Sequence, residues 1–63
     1  MFIELTEISF DGKGRKSHGE KVLLNKNIIE KVFERDGICF LTLRYGSIAV
    51  EESYESLFRM LIS

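Results

Sequence analysis

From Ile38 to Ile62 the chain reads strand, turn, strand, helix cap, helix, and that order constrains the fold more than any other feature. Ile38-Cys39-Phe40-Leu41-Thr42-Leu43 is a run of β-branched, aromatic and aliphatic residues, a composition suited to a pleated, packed surface. It is apolar at nearly every position, which predicts the centre of a sheet. Gly46 marks a turn, and Ile48 to Glu51 reads as the next strand. Ser53 then offers a side-chain oxygen to the free amides of a helix start. Tyr54, Leu57, Phe58, Leu61 and Ile62 follow the i, i+3, i+4, i+7, i+8 spacing of a buried stripe, so a helix is predicted over Tyr54 to Ile62. A helix this short is not stable alone and must pack on the sheet or on a second subunit.

The upstream half supplies the remaining strands. Phe2 to Phe10 alternates Ile3 and Leu5 with Glu4 and Thr6, while Phe2, Ile8 and Phe10 hold the opposite parity. Either both faces of this strand are partly covered, or a bulge near Glu7 switches the parity. Asp11 to Gly19 has three glycines and no aliphatic residue, and reads as a long hairpin connection. Lys21 to Asn25 is predicted as the second strand. Asn25-Lys26-Asn27 follows as a turn, because asparagine bonds its own backbone and tolerates the left-handed region. Ile28 to Glu34 is predicted as the third strand, although its apolar residues, Ile28, Ile29, Val32 and Phe33, also fit one helical turn. A short helical turn at Lys26 to Ile29 is the fallback. Asp36-Gly37 between two apolar runs is a strong hairpin signal.

The expected fold is therefore α+β: a bent antiparallel sheet of about five strands, nearest to an SH3-like small barrel, with one C-terminal helix. Residues 1–63 are expected to form a single small domain. A chain of 63 residues has a thin core, and small domains often add disulfides, a metal or a partner subunit. One cysteine cannot form an internal disulfide, and one histidine with one cysteine falls short of a four-ligand zinc site. Self-association is the expected staple, and no cofactor is expected.

Charge and composition narrow the function classes. Nine Lys and Arg against ten Asp and Glu give a net charge of −1, which is no footprint for duplex nucleic acid. No apolar run reaches the roughly 18 residues of a membrane span, and the start lacks the basic and apolar regions of a signal peptide. The expected address is cytoplasmic, without membrane insertion.

Individual residues offer little chemistry. His18 sits between Ser17 and Gly19 with no carboxylate or nucleophile beside it in sequence, and reads as a solvated loop histidine. Cys39 lies in the apolar fourth strand and reads as a small hydrophobe rather than a reactive thiol. Asp11-Gly12-Lys13-Gly14 lacks the spacing and the strand-to-helix context of a phosphate-binding loop. Glu51, Glu52 and Glu55 are accounted for by the helix dipole and solubility. No acid–base pair, nucleophile or metal set is present, so no enzyme is expected and no catalytic residue is named.

Two surfaces remain. Lys13, Arg15, Lys16, His18 and Lys21 form the one basic cluster, a possible hand for phosphate on RNA or an acidic protein. A solvated hairpin tip is the simpler account, since RNA readers stack bases on aromatics and none lies inside the cluster. The second surface is apolar. One short helix cannot cover both faces of a five-stranded sheet, so Phe33, Tyr45, Tyr54, Phe58, Met60 and Leu61 are candidates for an exposed interaction patch. Leu57, Phe58, Leu61 and Ile62 could equally pack across a two-fold axis. Gly37, Gly46 and Ser53 are read as structural.

An Ile-x-Leu-Thr start, then Leu24-Asn25, Ile29, Val32, Leu41-Thr42-Leu43, Gly46, Val50 and Glu52-Ser53, together resemble the small bacterial FlbD family of flagellar and swarming-motility proteins. The likeness covers nearly the whole chain outside Asp11 to Gly19, and its matching positions are turns, core and cap. It implies a non-enzymatic cytoplasmic accessory protein linked to motor output and swarming, acting through a protein partner not identified by these residues.

Overall fold

The structure is a computed structural model that describes residues 1–10 and 19–62. Five antiparallel strands and one helix follow in the order β1 (Phe2–Ile8), β2 (Glu20–Asn25), β3 (Ile29–Arg35), β4 (Ile38–Leu43), β5 (Gly46–Val50) and α1 (Tyr54–Ile62). A short 3₁₀ turn, Lys26–Ile28, separates β2 from β3. The fold is α+β, with strand order β2-β1-β5-β4-β3. The outer strands β2 and β3 do not pair with each other among the described residues, so the sheet is open.

Two expectations are corrected by this order. The central strand is β5, not the more apolar β4, because β5 joins the β1–β2 hairpin to the β3–β4 hairpin. β4 is apolar on both sides because Cys39 and Leu41 face the core while Phe40 stacks on Phe33 across the other face. The strand limits also move: β1 ends at Ile8 rather than Phe10, and β5 begins at Gly46.

The parity question in β1 is decided in favour of two partly covered faces, with Ile8 buried while Phe2 and Phe10 stay exposed. Its pairing with β2 runs unbroken from Phe2 opposite Asn25 to Glu7 opposite Glu20. Leu5 is buried on the helix-covered face, and Ile8, of opposite parity, is buried on the other, opposite Ala49. The irregularity lies instead in β3, between Ile29 and Lys31. One extra residue there lets Ile29 and Val32, three apart, both pack toward the core. It also explains a strand whose apolar spacing resembles a helical turn. The fallback is realised just upstream, where the Asn25 side chain accepts from the Asn27 amide at 3.0 Å and starts the 3₁₀ turn.

The β3–β4 hairpin turns on two residues, with Arg35 opposite Ile38. Asp36 (φ 54°) and Gly37 (φ 79°) are both left-handed, as a tight turn matching the sheet twist requires. The core is small: Leu5, Cys39, Leu41, Val50 and Leu57, with Ile3, Val22, Leu24, Ile29, Val32, Leu43, Ile48 and Met60 packed around it.

Candidate protein-interaction surface

Three contacts place α1 on the sheet. Ser53 caps it: its Oγ accepts from the Ser56 amide at 3.1 Å, and its carbonyl accepts from the Leu57 amide at 3.0 Å. Ser56 fills the position where a capping box carries Glu or Gln, and its Oγ accepts from the Ser53 hydroxyl at 3.1 Å. Leu57 then inserts fully buried among Leu5, Cys39, Leu41 and Val50.

The third contact is a carboxylate clamp. β5 ends at Val50, and the Glu51 amide makes a last bond to the Thr6 carbonyl at 2.9 Å. The Thr6 amide points the same way, past the last residue of β5. Glu52 takes the place of that strand: one carboxylate oxygen accepts from the Thr6 amide at 2.9 Å and the other from the Thr6 hydroxyl at 3.0 Å. Glu52 is therefore more than a dipole or solubility charge. Gly19 sits close against the clamp, where a Cβ would collide with the Thr6 and Glu51 side chains.

With Leu57 fixed, the rest of the helix stripe is turned outward. Tyr54 is 48% exposed, Phe58 55% and Ile62 69%. With half-buried Leu61 and with Val32 of β3 they line a shallow apolar hollow of about 260 Å³. The hollow is open because the helix carries apolar groups over a wider arc than the sheet covers. Glu55 and Arg59 run along its outer side, paired at 2.6 Å and both about three-quarters exposed.

The residues named as one patch from the sequence fall in three places. Tyr54, Phe58 and Leu61 share the hollow. Phe33 lies on the opposite sheet face, stacked on Phe40 with ring centroids 5.4 Å apart, and Lys31 Nζ and Arg35 Cζ lie 5.3 and 5.4 Å from its ring centre. Tyr45 lies at the β4–β5 turn, 86% exposed, and Met60 packs toward the core. Val32 and Ile62 belong to the hollow and were absent from that patch. Ile62 was legible as part of the helix stripe; Val32 was not, because its face depends on the β3 irregularity. Of the basic cluster, Lys21 is exposed on β2, and Lys13, Arg15, Lys16 and His18 lie outside the described residues.

A second hollow of about 270 Å³ opens on the face away from α1, between Ile8, Phe10, Phe40, Ser47 and Ala49. Among the described residues no group of three or more His, Cys, Asp or Glu side chains could hold a metal ion. No described helix is long and apolar enough to cross a membrane.

Cys39 is buried, and burial, with a smaller contribution from the Glu34 carboxylate, holds its thiol above the ordinary value of 9.0. The sign follows directly. The unfolded chain loses this proton first as pH rises past 9.0, so stability is intact below that pH and declines above it until the folded thiol also ionises. A Cys39→Ala variant should lose that part of the alkaline decline in melts run from pH 8 to 10. The native thiol should also label slowly with a thiol reagent and rapidly in denaturant.

Comparison with known proteins gives no match to a family model, to a curated protein or to a solved structure.

Proposed function

We propose that this chain is a non-enzymatic protein-interaction module that works as a homo-oligomer in the cytoplasm. The resemblance to the FlbD family extends the proposal to an accessory role in flagellar motor output and swarming. The observation that carries it is the outward ridge of Tyr54, Phe58 and Ile62 beside Val32. Contiguous exposed apolar groups rimmed by charge mark interaction sites on small proteins.

The SH3-like barrel belongs to the same reading, with residues 1–63 as one domain. Val22 and Leu24 of β2 and Ile29 and Val32 of β3, from the two ends of the sheet, all pack against the one cluster around Leu57. Outer strands of a flat five-stranded sheet would stand roughly 19 Å apart, so this convergence supports a coiled sheet.

Sedimentation velocity over a concentration series tests the interaction reading. The wild-type chain is expected to sediment as an oligomer at micromolar concentration, and Phe58→Ser as a monomer with unchanged circular dichroism. A wild-type chain that stays monomeric throughout contradicts self-association. Retention on single-stranded nucleic acid that falls steeply with salt would favour instead a small regulator using Lys13, Arg15, Lys16, His18 and Lys21.

A further inference from the structure

We infer that the occupant of the α1 surface is a second copy of this chain, docked by antiparallel pairing of the two α1 helices about a two-fold axis close to Phe58. The inference rests on the homo-oligomer reading above and adds the geometry of the contact.

The argument begins with the two sides of the ridge. Tyr54, Phe58 and Ile62 follow one another at i+4 steps along α1. On one side of them Leu57 and Met60 pack against the sheet. On the other side stand Glu55 and Arg59, each one residue after a ridge aromatic and so about 100° further round the helix. The ridge thus has one flank committed to the core and one flank bearing an anion and then a cation.

A two-fold axis perpendicular to the helices reverses their direction and brings like flanks together. Glu55 of each copy then stands opposite Arg59 of the other, so the charge order is complementary to itself. An axis parallel to the helices would set this flank against the partner's sheet side, where it finds no matching charge from α1. The apolar ridge asks for the same centre. Phe58 is the midpoint of Tyr54 and Ile62, and Leu57 marks the level midway between Glu55 and Arg59. The two centres differ by one residue, about 1.5 Å along the axis. A single axis therefore serves both sets. It places Phe58 against its own copy and the larger Tyr54 opposite the smaller Ile62, twice. Val32 extends the contact onto β3.

Charge reversal tests the geometry. Glu55→Arg and Arg59→Glu each set like charges opposite one another twice across the axis, and each is expected to raise the dimer dissociation constant by at least about tenfold in sedimentation equilibrium. The double reversal restores the complementary order and is expected to return the constant to within about threefold of wild type. It does so despite placing each charge at the less favourable end of its helix. Should a reversal weaken the fold, Tyr54→Cys and Ile62→Cys, which leave Phe58 in place, give an independent reading. Under mild oxidation neither variant should cross-link to itself, and an equimolar mixture of the two should cross-link one to the other. Association lost in Phe58→Ser but unchanged in every charge variant would overturn this pairing and leave the interaction reading standing. A wild-type chain monomeric at all concentrations would overturn both.

Discussion

Leu57→Ala is expected to cost about 3 kcal/mol and to loosen α1 from the sheet. Leu57 is the one fully buried residue of the helix, and it closes the contacts among Leu5, Cys39, Leu41 and Val50. Truncation removes the transfer free energy of the side chain and leaves a void that a five-residue core has few ways to fill. A domain of this size has roughly 3 to 9 kcal/mol of total stability, so the loss is a third of it or more. In a thermal melt the midpoint should fall by roughly 12 to 24 °C. Phe58→Ala is the control. More than half of that ring already faces solvent, so its truncation should cost the isolated fold far less. Equal losses at the two positions, in melts dilute enough that every chain is monomeric, would mean that the helix is rotated from the orientation described.

The second large effect is expected at Glu52. Glu52→Ala leaves both the Thr6 amide and the Thr6 hydroxyl without the carboxylate that accepts from them, at a cost of about 2 kcal/mol. Glu52→Gln should lose about half of that, because its amide can still accept from one Thr6 group and donate to the other. Thr6→Val removes the hydroxyl alone. A double-mutant cycle on Glu52→Ala and Thr6→Val in urea unfolding should give a coupling of about 1 kcal/mol. Additive effects would show that the side-chain half of the clamp contributes nothing to stability.

These two residues also show what the sequence could and could not tell. The helix that carries Leu57 was legible, because helical spacing and the Ser53 cap are local signals that the structure reproduces over Tyr54–Ile62, but the burial of Leu57 alone was not, since Tyr54, Phe58 and Ile62 share its spacing and stay exposed. So were the Asp36-Gly37 hairpin and the limits of β4, whose determinants lie within a few residues of one another. Glu52 was not legible as a clamp, since its partner lies 46 residues away and is chosen by where β5 stops. The same holds for Phe33 and Val32. Adjacent in sequence, they lie on opposite faces, and only the irregularity between Ile29 and Lys31 decides which one joins the helix. The sheet centre was not legible for a related reason. β4 is apolar because both its faces are packed, whereas the central position of β5 follows from which strands it joins.

Glu52 ties the segment after β5 to β1, and Ser53 starts the helix immediately afterwards. Together they fix the rotation at which α1 presents Tyr54, Phe58 and Ile62 outward. Loss of the clamp should therefore weaken the proposed self-association as well as the fold.

The measurement that tests the account most directly is amide and methyl NMR of the labelled chain on dilution from millimolar to low micromolar concentration. The predicted result is a set of concentration-dependent shifts confined to Tyr54–Ile62 and Val32, with the helix-free face around Phe33 and Phe40 unchanged. Shifts confined to that other face, or a spectrum that does not change with concentration, would contradict the claim that α1 carries the interaction.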